Sequence, residues 1–150
     1  MLTLALINGP NLNLLGVRDP SMYGATTLSS ITEQLTITAT ASGVALEHYQ
    51  SNSEGALIDI IQEGRSRWAG LIINPGGYSH TSIALRDALE MLTVPIIEVH
   101  LSNIHAREPF RHRSYVSPLA RGVIVGLGAR GYRLALDALL GILEEQGSRE

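Results

Sequence analysis

Apolar residues in this chain fall into short continuous runs, separated by longer stretches in which they recur every three or four positions. The first run, Leu2–Ile7, is apolar almost throughout, the pattern of a strand covered on both faces. Leu28, Ile31, Leu35 and Ile37 give Thr27–Ser42 a helical period, with Thr26 or Thr27 as its cap and Gly43 as its stop. Val44–Gln50 reads as the next strand. Ser53 and Glu54 open a second helix, whose face is Ala56, Leu57, Ile60 and Ile61 and which Gly64 closes. Trp68–Ile73 predicts another strand buried on both sides, halted by Asn74-Pro75-Gly76-Gly77. Ser79 or Thr81 then caps a helix through Met91 that turns Ile83, Ala84, Ala88, Leu89 and Leu92 inward. Val94–Val99 and Gly122–Val125 are strands on either side of a polar stretch from His100 to Pro118. Ala129–Leu143 is a strongly apolar last helix, with Glu144–Glu150 expected as a frayed polar tail.

Strands alternating with helices in this way predict an α/β fold, a parallel sheet with helices on both faces. Ligands bind such sheets outside the carboxyl ends of the strands. The polar clusters lie where that rule requires them: Asn8–Tyr23 after the first strand, Asn74–His80 after the third and His100–Arg111 after the fourth. The first of these belongs to the aperiodic stretch Asn8–Gly24, a length used more often for a binding loop or lid than for a simple connection. At 150 residues, with no repeats, the chain is expected to form one domain over residues 1–150.

Composition narrows the chemistry. A net charge of -3 gives no basic footprint for nucleic acid. The first apolar run is too short for a signal peptide or a membrane span, so a cytoplasmic protein without a membrane partner is expected. There is no cysteine, which excludes disulfides, thiolate nucleophiles and cysteine metal ligands. Nor is there any lysine: all 11 of the Lys+Arg total are arginine. Imine chemistry on a side-chain amine and a P-loop are therefore both excluded.

The cleft expected at the strand ends would gather Asn11, Arg18, Tyr23, Asn74, His80, His100, Ser102, Arg107 and Arg111. Arginines with backbone amides suit an anionic small molecule, a carboxylate above all, and the asparagines and histidines suit a polyhydroxylated one. Tyr23 becomes a usable base only if its phenol, with an ordinary pKa of about 10, is lowered by a neighbouring cation. Arg18 on the same loop could supply it. The residues alone leave open the plainer alternative, in which Tyr23 packs the loop exit and Arg18 points into water. Glu98 and His100 share a strand face, so the carboxylate could orient the imidazole and support its protonated form, a natural general acid. A strand-end histidine satisfied by a carboxylate is equally compatible with the spacing. His100 and His105 have no convincing metal spacing, and no metal or other cofactor is expected. His48 and His112 read as surface residues.

Gly126-Leu127-Gly128-Ala129-Arg130-Gly131 fits the dinucleotide pattern G-x-G-x-x-G, but no strand follows its helix to carry the ribose-binding acid. A tight strand-to-helix turn accounts for these glycines. Two classes of function remain on residues alone, an enzyme acting on an anionic polyol and a non-enzymatic protein that binds a small ligand or nucleotide.

Four segments resemble the type II 3-dehydroquinate dehydratases: I-N-G-P-N-L-N-L-L-G-x-R-x-P-x-x-Y-G at Ile7–Gly24, I-N-P-G-G-Y-S-H-T-S at Ile73–Ser82, E-V-H-L-S-N-I-H-A-R-E-x-F-R at Glu98–Arg111 and G-V-I-V-G-L-G-x-x-G-Y at Gly122–Tyr132. The resemblance implies a flavodoxin-like fold with a five-stranded parallel sheet. It implies a lyase that reversibly dehydrates 3-dehydroquinate to 3-dehydroshikimate, on the shikimate route to aromatic amino acids. By motif position Tyr23 would take the C2 proton to give an enolate, Arg18 would keep Tyr23 ionised, and His100, backed by Glu98, would protonate the departing C1 hydroxyl. Asn11 would hold a water that stabilises the enolate. Asn74, His80 and Arg111 match contacts to substrate hydroxyls, the Leu101-Ser102 backbone matches the carboxylate cradle, and Arg107 matches a loop anchor. Asp87 matches a residue that reaches a neighbouring subunit's site, which implies a homo-oligomer, a dodecamer built from trimers. Val17 and Asp19 depart from the family pattern at loop positions.

Overall fold

In the computed structural model, which describes residues 1–19, 21 and 25–149, the runs read above become five parallel strands and four α-helices. The strands are β1 (Thr3–Asn8), β2 (Ala45–Gln50), β3 (Gly70–Asn74), β4 (Ile96–His100) and β5 (Gly122–Val125). The helices are α1 (Leu28–Ala41), α2 (Glu54–Gly64), α3 (Ile83–Glu90) and α4 (Arg130–Arg149). The strand order is β2-β1-β3-β4-β5, with β1 in register against both Ala45–Gln50 and Gly70–Asn74. The chain thus leaves β1 for one side of the sheet and later returns to the other, and the order reverses between β1 and β3.

The strand period divides the core. Leu4, Leu6, Ile72, Ile97 and Val99 face Ile31, Leu35 and Ala39 of α1 and Tyr132, Ala135, Leu136 and Leu139 of α4. Ala5, Ile7, Leu71, Ile73 and Ile96 face Leu57 and Ile61 of α2 and Leu85, Ala88 and Leu89 of α3. Both faces of the central strands are therefore dry, which is why their sequences are continuously apolar rather than alternating. Truncating one such fully buried side chain, Ile72→Ala, removes about 2–5 kcal/mol.

Several boundaries differ from the sequence reading, each for a local reason. Thr27, not Thr26, caps α1, its side chain accepting from Ser30 N. Ile37 is exposed, because Ile31, Leu35 and Ala39 form the inward i, i+4 row and position 37 lies off it. Residues Gly76–His80 form a 3-10 turn, and α3 begins only after Ser82, whose hydroxyl accepts from Leu85 N. Neither Ser79 nor Thr81 is its cap. The inward set of α3 becomes Leu85, Ala88 and Leu89, with Ile83 outside. The expected frayed tail is helical instead: α4 runs to Arg149, since Glu144, Glu145 and Gln146 are good helix formers that continue its period. The polar stretch after β4 is folded into three 3-10 turns, Ile104–Ala106, Pro109–Arg111 and Ser117–Leu119. No described helix is long and apolar enough to cross a membrane.

Candidate active site

At the carboxyl ends of β1, β3 and β4, beside the reversal in strand order, lies a cleft of about 150 Å³. Its floor is built where the loops after β1 and β3 touch. Gly9 N donates to Asn74 O at 2.8 Å, and a Cβ on Gly9 would stand 2.4 Å from Pro75 O, so only glycine permits this approach. Gln50 Nε2 at the end of β2 donates to Gly9 O at 3.1 Å. Asn11 then adopts the left-handed conformation (φ 70), with its N–H given to Asn52 Oδ1 at 2.9 Å. Buried Leu12 and Leu15 anchor the turn that brings Arg18 to the cleft wall.

Asn74 closes β3 from below. Its Nδ2 donates to Tyr132 Oη at 3.0 Å, its Oδ1 accepts from Gly76 N at 3.1 Å, and Tyr132 Oη donates in turn to Asn8 Oδ1 at 2.5 Å. Burial pushes the Tyr132 phenol well above its ordinary range, against a smaller lowering by the Asn74 bond, so this tyrosine is a fixed neutral donor. His80 donates from Nδ1 to Arg113 O at 2.8 Å. Burial holds its pKa below the usual histidine value; the Arg113 carbonyl opposes this, and nearby His100 and Arg111 reinforce it. His80 is therefore a neutral imidazole at pH 7, stacked on His100 with ring centroids 6.2 Å apart.

Glu98 and His100 end β4. Nε2 of His100 donates to Glu98 Oε2 at 2.5 Å, and both side chains are buried. Burial alone would raise the Glu98 carboxyl, but the bonds from His100, Ser117 and Ser114 outweigh it and hold the group below the ordinary carboxylate range. With Nε2 engaged, Nδ1 is the His100 nitrogen left for a ligand. Beyond it, Arg107 Nη1 donates to Ser102 Oγ at 3.2 Å, and Arg111 Nε donates to Glu108 Oε2 at 2.5 Å. The glycine-rich turn after β5 buttresses this loop: Gly126 N donates to His100 O at 3.3 Å and Gly128 N to Leu101 O at 3.0 Å. Gly126 needs its positive φ of 83, and a Cβ there would lie 3.0 Å from Asn103 Cβ. The dinucleotide-like pattern is thus a support for the β4 loop.

Of the residues singled out from sequence, Asn11, Arg18, Asn74, His80, His100, Leu101, Ser102, Arg107 and Arg111 all line the cleft. Glu98 stands behind His100, out of the lining. Asp87 is on the exposed side of α3 and does not line it. Tyr23 lies outside the described residues. Among the described residues no three His, Asp or Glu side chains are grouped to hold a metal ion. Sequence reasoning missed Ser114, Ser117, Asn8 and Tyr132. The two serines carry no periodic signal, whereas a tyrosine on an otherwise apolar helix face was a readable one.

The family model described as "Dehydroquinase class II" matches residues 2–140. A protein of Anoxybacillus flavithermus named 3-dehydroquinate dehydratase is 55% identical over 147 residues, 98% of this chain and 99% of that one. One of Ralstonia nicotianae named 3-dehydroquinate dehydratase 1 is 58% identical over 139 residues, covering 92% and 89%. The crystal structure of a type II dehydroquinase from Butyrivibrio crossotus superposes with a TM-score of 0.89 at 44% identity, covering 92% of this chain and 97% of that one.

Proposed function

The chain belongs to the class II dehydroquinase family, enzymes that dehydrate 3-dehydroquinate in the shikimate pathway, and on that premise we propose how its cleft carries out the elimination. The substrate is an anionic polyol with a ketone at C3. Its carboxylate sits against the Leu101-Ser102 backbone, with Arg107 anchoring the loop. Asn74, His80 and Arg111 take the ring hydroxyls; His80, a neutral imidazole whose Nδ1 proton goes to Arg113 O, accepts from a hydroxyl through Nε2.

Tyr23, as phenolate, removes the C2 proton, and the electron pair moves onto the ketone oxygen as an enolate. Arg18, five residues earlier on the same loop, favours the phenolate, since a cation stabilises the ionised form and a drier cleft strengthens the effect. A water held by Asn11 donates to the enolate oxygen. The enolate then collapses to a C1–C2 double bond as the C1–O bond breaks, and His100 delivers its Nδ1 proton to the departing hydroxyl, which leaves as water. Base and acid act from opposite sides of the ring, an anti elimination. Asp87 completes the site of a neighbouring subunit, in a dodecamer of trimers, and residues 1–150 act as one catalytic domain.

The observation that carries this reading is the buried His100–Glu98 pair, with one ring nitrogen held by the carboxylate and the other left to a cleft rimmed by arginine. The test is the conjugated-enone ultraviolet absorbance that appears on adding 3-dehydroquinate, in the presence of chelator. The wild-type chain should give a full rise, and Tyr23→Phe none, while still binding the product. Appreciable turnover by Tyr23→Phe would overturn the assignment of the base.

A further inference from the structure

Three donors converge on the Glu98 carboxylate, and two come from a segment the reaction does not otherwise use. Ser114 Oγ donates to Oε2 at 2.8 Å, beside His100 Nε2, and Ser117 Oγ donates to Oε1 at 2.6 Å. The Ser114 hydroxyl cannot readily turn away. Its oxygen also accepts from Val116 N at 3.1 Å and from Ser117 N at 3.3 Å, so its single proton is left to point at Glu98. Only an ionised carboxylate can accept all three bonds, because a protonated one would bring a competing donor into the same buried space. Glu98 itself is wholly buried. Its rotation is therefore determined by what bonds to Oε1 and to Oε2.

We propose that Ser114 and Ser117 are positioning residues for the dehydration: together they clamp Glu98 so that one oxygen always meets His100 Nε2 and the ring keeps Nδ1 on the cleft side. This rests on the reading of His100 as the proton donor. Without the serines the carboxylate keeps the His100 bond but loses its other two partners, in a site where burial favours the neutral acid. The titratable and charged groups facing Glu98 are His100 on its own strand and His80 from the loop after β3, with Arg111 beyond His80. The two serines are neutral, so they act through hydrogen bonding and not through charge.

The first variant is Ser117→Ala, because this side chain is half-buried and its removal leaves the backbone bonds of its turn intact. Two readouts are taken in the assembled enzyme: the titration of the Glu98 carboxyl carbon by NMR, and the acidic limb of the kcat–pH profile. Both should move upward by about one pH unit, a tenfold change in proton affinity for the loss of one charge-assisted bond. Ser117→Thr, which keeps the hydroxyl, should return both to wild type, and Ser114→Ala should move them in the same direction. Should Ser117→Ala fail to fold, Ser117→Cys, a weaker donor, carries the same test with a smaller shift. If neither readout moves in a folded variant while His100→Gln abolishes turnover, the clamp is refuted and the role of His100 stands. If the carboxyl midpoint moves while His100→Gln retains activity, the reading of His100 fails and the proposal falls with it.

Discussion

Replacing Tyr132 by phenylalanine removes one oxygen from a fully buried ring and leaves the packing against Leu4, Leu6 and Val99 unchanged. That oxygen donates to Asn8 Oδ1 and accepts from Asn74 Nδ2. Its loss leaves two buried amide groups unpaired, at about 1–3 kcal/mol each. Against this stands roughly 1–2 kcal/mol recovered because the phenol oxygen need no longer be desolvated. The central values leave a net loss of about 2.5 kcal/mol, or roughly 5–10 °C in Tm for a chain of this size. Asn74 would retain its bond from Gly76 N but lose the one that fixes its other end. A fall of about tenfold in kcat/KM is therefore expected, carried mainly by KM. Denaturant unfolding at fixed protein concentration gives the first number and the enone assay the second. In a double-mutant cycle with Asn8→Ala, the two losses should be non-additive, because both variants break the Tyr132–Asn8 bond. A loss under about 0.5 kcal/mol with kcat/KM unchanged would mean the triad is incidental to both stability and binding.

Arg18→Ala should shift the acidic limb of the pH–rate profile upward, since the phenolate of Tyr23 would lose its cation and be protonated at higher pH; an unmoved limb would assign that activation to another group. Asp87→Ala should weaken substrate binding in the assembled oligomer, and an active monomer unaffected by the change would exclude a role across subunits. Because burial depresses the folded pKa of His80, the unfolded chain binds its proton more readily. The neutral ring's contribution to stability is thus complete above about pH 6.5 and is lost as the pH falls below it. His80→Gln should flatten the slope of stability against pH in that window; an unchanged slope would show that His80 does not titrate on unfolding.

The sequence made the sheet legible because its central strands are buried on both faces and so are spelled as unbroken apolar runs. It made the three cleft loops legible because each is a polar cluster placed directly after such a run. What stayed hidden depended on a choice between near-equal local options. Ser79, Thr81 and Ser82 are all competent caps, and the 3-10 turn at Gly76–His80 decided for the last. Glu98 and His100 could be paired from their spacing on one strand, whereas Ser114 and Ser117 reach Glu98 through a turn that no periodicity encodes. The glycines after β5 were recognised as a turn, but their service to His100 and Leu101 is a matter of tertiary contact alone.

Tyr132 joins Asn8 across 124 positions of sequence, and the turn that feeds its helix holds the carbonyls of His100 and Leu101. The cleft is thus lined from about the first three quarters of the chain but braced from the segment that follows, residues 126–132. During translation, the residues that would touch substrate emerge well before the ones that fix them. A nascent chain still short of α4 would carry nearly every chemical group of the site, with the Asn8–Asn74 junction unbridged. Competence would then arrive late, when the C-terminal helix leaves the ribosome and docks.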